Sequence, residues 1–235
     1  MIVTRIERRL ARHIRGTARV TIDSARTVAT IVPRLLEVAI LKSLHRTDYR
    51  RWTKPDSLEV WWDSRTRLLA ELVPAGSRVI EFGAGRRQLE RYLDPHCTYV
   101  PSDLVDRGPG TIVCDLNRGP FPDLSTQRMD VAVFGGVLEY IVDLPALIEW
   151  LAESVTFCVA SYACVVPGAG LAGRISDHLK RVRHGYMNHL TEVQIVDLFR
   201  ARSFACRTRR TWDSQRLFLF TRESEAPSEM FRGTP

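Results

Sequence analysis

Two glycines two residues apart, Gly83 and Gly85, separate the apolar run Arg78-Val-Ile-Glu-Phe82 from the amphipathic run Leu89-Glu-Arg-Tyr-Leu93. Residues without Cβ atoms let a backbone turn tightly and approach a ligand closely, and a helix beginning after such a turn offers unpaired N–H groups. Eighteen residues after Gly85, a second strand-like run, Thr98-Tyr-Val-Pro-Ser-Asp103, ends in a carboxylate that could accept both hydroxyls of a ribose. The chemistry these residues suit is the holding of a nucleotide-bearing cofactor at the ends of parallel strands.

A dinucleotide fingerprint requires a third glycine three residues after the second, and that position is Gln88. The turn carries instead an acid two residues before its first glycine, Glu81, giving Glu-x-Gly-x-Gly. Two further strand-like runs follow, Thr111-Ile-Val-Cys-Asp-Leu-Asn117 and Asp130-Val-Ala-Val-Phe-Gly-Gly-Val-Leu-Glu-Tyr-Ile141. In this order the runs resemble the class I S-adenosylmethionine-dependent methyltransferases over about residues 57 to 221. The resemblance implies S-adenosylmethionine as cofactor, with Glu81, Gly83 and Gly85 in the turn and Asp103 and Leu104 at the ribose. It implies Asp115 at the adenine amino group, the Leu116 N–H at the ring, and Gly135 after the fourth strand. Tyr140 stands where relatives often have histidine, and Arg87 where many have glycine; Arg87 could clash with the methionine tail or pair with its carboxylate.

Methyl transfer from a sulfonium is a direct displacement, so alignment can supply roughly 7–11 kcal/mol of the barrier and a base is needed only if the acceptor must lose a proton. The base candidate is His189, in Gly185-Tyr-Met-Asn-His-Leu-Thr191, with Tyr140 and Glu139 facing the same pocket. The expected activity is methyl transfer to a small-molecule acceptor, at oxygen. Two alternatives stay open: a non-catalytic binding or assembly protein, favoured by Arg86-Arg87 in the cofactor turn, and an RNA methyltransferase. Neither an Asn/Asp-Pro-Pro-Tyr/Phe segment nor a Pro-Cys nucleophile is present for DNA methylation, and metal, flavin and pyridoxal signatures are lacking.

The implied fold is α/β, a doubly wound Rossmann-like sheet of seven mostly parallel strands with a C-terminal antiparallel pair. Strands are expected at 78–82, 99–102, 111–114, 130–134, 156–162, 204–210 and 216–221. Helices are expected from the Asp56/Glu59 capping pattern through Val73, at 89–93, at 144–154, and from the Thr191/Gln194 capping pattern through Arg202. Ser154 to Gly173 carries no charge, but its Pro and Gly residues predict a strand and a glycine-rich loop in place of a membrane span.

Residues 51–222 form the expected catalytic domain, 1–50 a helical arm, and 223–235 a disordered tail. The net charge of +7 is concentrated in the arm: residues 1–50 hold 11 Lys/Arg against 4 Asp/Glu, and the remainder holds 23 of each. The arm repeats apolar residues at fourfold spacing (Ile2, Ile6, Leu10, Ile14) among arginines, and Pro33 predicts a kink further on. Such an arm suits either packing and self-association or a peripheral contact with an anionic membrane. The neutral catalytic part gives little support to nucleic acid as a partner. Five cysteines without zinc spacing, and no apolar leader, point to a cytoplasmic protein.

Overall fold

The computed structural model describes residues 31–223 apart from 55–57, 125, 127 and 169. The stripe at Ile2–Ile14, the Asp56 cap and the tail beyond Glu223 lie outside the described residues.

Seven strands form one sheet in the order β3-β2-β1-β4-β5-β7-β6. These are β1 (Arg78–Phe82), β2 (Thr98–Asp103), β3 (Ile112–Val113), β4 (Val131–Gly135), β5 (Phe157–Tyr162), β6 (Phe204–Trp212) and β7 (Gln215–Arg222). The first five run parallel, and β7 is antiparallel to both β5 and β6. Pro101 falls where β2 is paired on one side only, because β3 joins it from Ser102 onward. Strand order reverses between β1 and β4, so the crevice of a doubly wound sheet opens beyond Phe82 and Phe134, which are register partners.

The alternation of side chains along each strand builds two cores. Ile80, Phe82, Ala132, Phe134, Cys158 and Ala160 face α4 (Leu144–Ser154) and α6 (Glu192–Arg200), while Val79, Val131, Val133 and Val159 face α3 (Asp63–Ala70). Helix α4 begins at Asp143, whose side chain accepts the Ala146 N–H, and buries Leu144, Leu147, Ile148 and Leu151 at helical spacing. The capping box of α6 forms as its sequence predicts: Thr191 and Gln194 satisfy each other's backbone N–H groups, an arrangement worth about 1 kcal/mol.

The structure corrects four sequence expectations. Leu89–Arg91 is a single 3₁₀ turn and not a helix, since Arg87 takes φ 57° and Pro95 keeps Asp94 from helical geometry. Helix α3 runs only from Asp63 to Ala70 behind a 3₁₀ turn at Val60–Trp62, and Pro74 opposes its extension through Val73. Third, a helix the sequence reading assigns to no element, α5 (Leu171–Arg183), follows the Pro167-Gly168 turn. Last, β6 and β7 extend to a tight turn at Asp213-Ser214, so Trp212 and Gln215 pair across the hairpin.

The arm is a strap across the catalytic domain. Residues 31–43 form α1, Pro33 included, and α1 seats Val38 against Val182 and Met187 beyond α5. A short helix, α2 (Tyr49–Trp52), then crosses the ends of β2 and β3. There the Thr47 hydroxyl donates to Asp115 at 2.6 Å, the Tyr49 hydroxyl donates to the Leu104 carbonyl at 2.7 Å, and the Trp52 carbonyl accepts from Arg107 at 2.7 Å. A parallel bridge pairs Val165 with Thr191, closing residues 166–190, α5 among them, into a detour between β5 and α6.

Candidate active site

At the end of β1 the chain turns through Gly83 at φ 70° and Gly85 at φ 52°. A Cβ on Gly83 would lie 2.6 Å from Val137 Cγ2, so both the conformation and the space oppose a side chain there. Asp103, buried at the end of β2, holds the turn in place. Its Oδ2 accepts the Gly85 N–H at 2.8 Å, and its Oδ1 accepts its neighbour Leu104 N–H at 2.7 Å. Arg107 closes on the same carboxylate, Nη2 lying 3.2 Å from Oδ1 and Nε 3.2 Å from Oδ2.

A cavity of about 710 Å³ opens over these strand ends. Of the residues implied for the cofactor, Glu81, Gly83, Gly85, Asp103, Leu104, Leu116 and Gly135 line it. Asp115 does not: its Oδ1 accepts the Thr47 hydroxyl at 2.6 Å and the Asn117 N–H at 3.0 Å, and it borders a neighbouring depression beside Arg46, Arg50 and Arg118. Asn117, absent from the sequence reading, faces the main cavity and ties the strap to the β4 loop, donating to Thr47 at 2.9 Å and to the Tyr140 carbonyl at 2.8 Å. Because the chain after the glycines makes no helix of more than a turn, the expected helix N-terminus contributes nothing here. Arg87 neither clashes with the cavity nor pairs into it: its guanidinium lies outward, donating to the Pro109 carbonyl and to Glu90, both at 3.1 Å, with Tyr99 5.7 Å away.

Glu81 is buried, and the Tyr99 hydroxyl donates to its Oε2 at 2.5 Å. Burial pushes this carboxyl up to about 8, against the opposing influence of the Tyr99 bond and Arg65. The folded protein therefore keeps a proton that the unfolded chain releases near the ordinary value of 4.5. This group's contribution to stability is complete below that value and declines as pH rises through about 8. Wild-type protein is expected to lose thermal stability between pH 5 and 8.5 relative to Glu81→Gln, as melting curves at the two pH values would record. Parallel curves for the two proteins would refute the shift.

Beyond β4, Tyr140 lines the cavity, its ring set edge-on to Trp52 at 4.7 Å and to Tyr186 at 5.4 Å. Burial raises its hydroxyl above the ordinary tyrosine value. Glu139 also lines the cavity yet serves the loop. Its Oε1 accepts the Ala163 N–H at 2.8 Å and its carbonyl accepts the Met187 N–H at 2.7 Å, while Oε2 is buried without a hydrogen-bond partner. His189, the base candidate, is not on the cavity wall. Its Nδ1 accepts from Arg181 Nε at 3.0 Å, and burial, followed by Arg181, pushes it down to about 4, so it is a neutral hydrogen-bond acceptor packed against α5. The histidine that does line the cavity is His184, at the C-cap of α5, lowered by desolvation and then by Arg51. Sequence reasoning could not place His184 without recognising α5.

The family description "methyltransferase domain" matches residues 49–208, more than half of the chain. The chain belongs to the class I S-adenosylmethionine-dependent methyltransferases. Solved methyltransferases share the fold at low identity. The Burkholderia thailandensis 1,6-didemethyltoxoflavin-N1-methyltransferase, solved with its acceptor and S-adenosylhomocysteine, aligns at TM-score 0.54 and 17% identity over 79% of this chain and 88% of its own. The mitomycin 7-O-methyltransferase aligns at 0.55 and 14% over 72% and 56%. Human N-acetylserotonin methyltransferase, solved with S-adenosylmethionine, aligns at 0.55 and 12% over 75% and 58%. This methyltransferase spans just over half the length of the calicheamicin-biosynthesis and mitomycin enzymes it matches. No curated protein sequence matches it. Among the described residues, no helix is long and apolar enough to cross a membrane.

Proposed function

We propose that this methyltransferase moves a methyl group from S-adenosylmethionine to an oxygen of a small-molecule acceptor in the cytoplasm. The observation that carries the reading is one cavity joining the Gly83–Gly85 turn and Asp103 to an aromatic wall after β4. Bound there, the cofactor would supply an electrophilic methyl group on a sulfonium. Gly83 and Gly85 present bare backbone to it, and Asp103 would accept the ribose hydroxyls once Arg107 releases its oxygens. Leu104 and Leu116 offer apolar walls for the adenine, and Gly135 sits at the end of β4, beside the crevice. Tyr140 and Tyr186 orient the acceptor and exclude water, and His184 is the neutral imidazole at the wall that could take its proton. The mitomycin enzyme, by name a 7-O-methyltransferase, supports oxygen, and the toxoflavin enzyme, by name an N1-methyltransferase, makes nitrogen the second arm of the test. On the arm, the exposed Val32, Leu36 and Ile40 of α1, with Leu44 just beyond it, support a contact with a membrane surface or a second copy.

Titration calorimetry with S-adenosylmethionine and S-adenosylhomocysteine tests the cofactor, with micromolar binding as the expected result. Mass spectrometry of acceptor panels bearing hydroxyl or amine groups then tests the atom. A folded protein that binds neither nucleoside would overturn the assignment, and binding without turnover on any acceptor would favour a non-catalytic role.

A further inference from the structure

Four of the chain's five tryptophans, Trp52, Trp61, Trp62 and Trp212, line the cavity; the fifth, Trp150, packs in the core against Phe82 and Phe121. They come from three places: α2, the turn before α3, and the β6–β7 hairpin. Trp61 is 54% exposed and stacks at 4.8 Å on Trp212, so a large apolar face stands open to whatever enters. Packing alone does not call for this arrangement, since an indole contributes most when its area leaves water.

Arg65 sits among them. It is 5% exposed, and its guanidinium carbon lies 5.4 Å from the Trp62 ring and 5.6 Å from that of Trp212. Among the described residues its hydrogen bonds go to carbonyl oxygens only, Gly135 O at 2.9 Å and Gln215 Oε1 at 3.3 Å, and Nε is buried without a hydrogen-bond partner. The nearest carboxyls acting on it are Glu139 and Glu81, and burial pushes both toward their neutral forms. A buried guanidinium bonded only to neutral groups is costly until an anion meets it, and a planar guanidinium beside indole faces suits a planar anion.

We infer that the acceptor is a flat aromatic molecule carrying a carboxylate or phenolate, its anionic oxygen on Arg65 and its ring against the tryptophans; this rests on the methyl-transfer reading above. The cofactor's own carboxylate is the other anion that could reach Arg65. The bond to Gln215 of β7 and the place between Trp62 and Trp212 favour the acceptor, while the bond to Gly135, which follows Phe134 beside the Phe82–Gly83 turn, is what makes the cofactor's carboxylate the competing ligand.

Calorimetry on the full chain distinguishes the two. The probes are 4-hydroxybenzoate, cyclohexanecarboxylate (anionic, not aromatic) and benzyl alcohol (aromatic, neutral), each with and without S-adenosylhomocysteine. S-Adenosylhomocysteine and 5′-methylthioadenosine, which lacks the amino-acid tail, are titrated separately. The expected result is that 4-hydroxybenzoate binds at least tenfold more tightly than either control. Arg65→Met should remove that preference with less than a twofold change in S-adenosylhomocysteine affinity, and Arg65→Lys should retain part of it. Trp61→Ala, at an exposed position where folding is not at stake, should weaken 4-hydroxybenzoate severalfold. Equal binding of the three probes would overturn the inference while leaving the cofactor assignment intact. It would also be overturned if Arg65→Met weakened S-adenosylhomocysteine but not methylthioadenosine, since Arg65 would then hold the cofactor. Loss of nucleoside binding alone would count against the methyl-transfer reading and not against the aromatic site.

Discussion

Asp103→Asn is expected to bind S-adenosylhomocysteine more than a hundredfold more weakly than the wild type. The carboxylate has two oxygens and both are in use: Gly85 N–H on one, Leu104 N–H on the other, with Arg107 against each. An amide keeps one acceptor and turns a donor toward one of two N–H groups, so either the Gly85 or the Leu104 N–H loses its acceptor. The two charge-assisted bonds a ribose would make are lost as well. At about 1.5–3 kcal/mol each they sum to about 3 kcal/mol or more, and each 1.4 kcal/mol is tenfold in affinity. Calorimetry reads the loss, and circular dichroism confirms that the variant is folded. An Asp103→Asn protein with unchanged affinity would remove Asp103 from the cofactor site. Arg107→Met provides the converse control, freeing the carboxylate of its present partner.

The largest effect on stability is expected from Gly83→Ala. The residue sits at φ 70°, where an alanine costs about 1–2 kcal/mol, and its methyl would arrive 2.6 Å from Val137 Cγ2, an overpacking worth about 1–3 kcal/mol more. A combined loss near 3 kcal/mol corresponds to a melting temperature lower by about 10 °C in a chain of this size. Adding Val137→Ala should return the packing part and leave the backbone part, which separates the two causes. Gly85 is more tolerant: its nearest obstacle is Leu58 Cδ2 at 3.3 Å, the end of a flexible side chain. A Gly83→Ala protein that melts with the wild type would show that the turn is not held as described.

The cofactor half of the fold is legible in the sequence because its signals are local. An apolar run ending at a glycine pair marks β1 and its turn, and an acid at the end of the next apolar run marks Asp103. Thr191 and Gln194 announce α6 at the right residue because a capping box is complete within four residues. The wall of the cavity beyond β4 depends on long-range contacts that no window of sequence contains. Helix α5 carries Leu171, Ile175, Leu179 and Val182 at helical spacing, but it opens inside the uncharged Gly- and Pro-rich run that reads as a loop, and of its described side chains Arg181 and Val182 alone are buried. Without α5 the sequence does not place His184, whereas His189 stands next to the recognisable cap at Thr191. Asp115 sits one residue after a strand-like run, as the resemblance implies, but its direction is decided by Thr47, sixty-eight positions away. Arg65 reads as one of many arginines on a polar helix; only the hairpin at Trp212 and Gln215 and the end of β4 make it a buried cation.

The bridge between Val165 and Thr191 has a consequence for how such an enzyme can diversify. It fastens the detour at its base, with the Val165 N–H donating to the Leu190 carbonyl at 2.8 Å, and the second half of the detour is fastened again: Arg181 donates to the Ala163 carbonyl, the Met187 N–H to the Glu139 carbonyl, and Asn188 to the Leu138 and Ile141 carbonyls. Doubling the length of a loop costs only about 0.6 kcal/mol once its ends are pinned. A change of length is therefore expected to be tolerated in residues 166–180 and not in residues 181–190, which carry His184 and Tyr186 to the cavity rim.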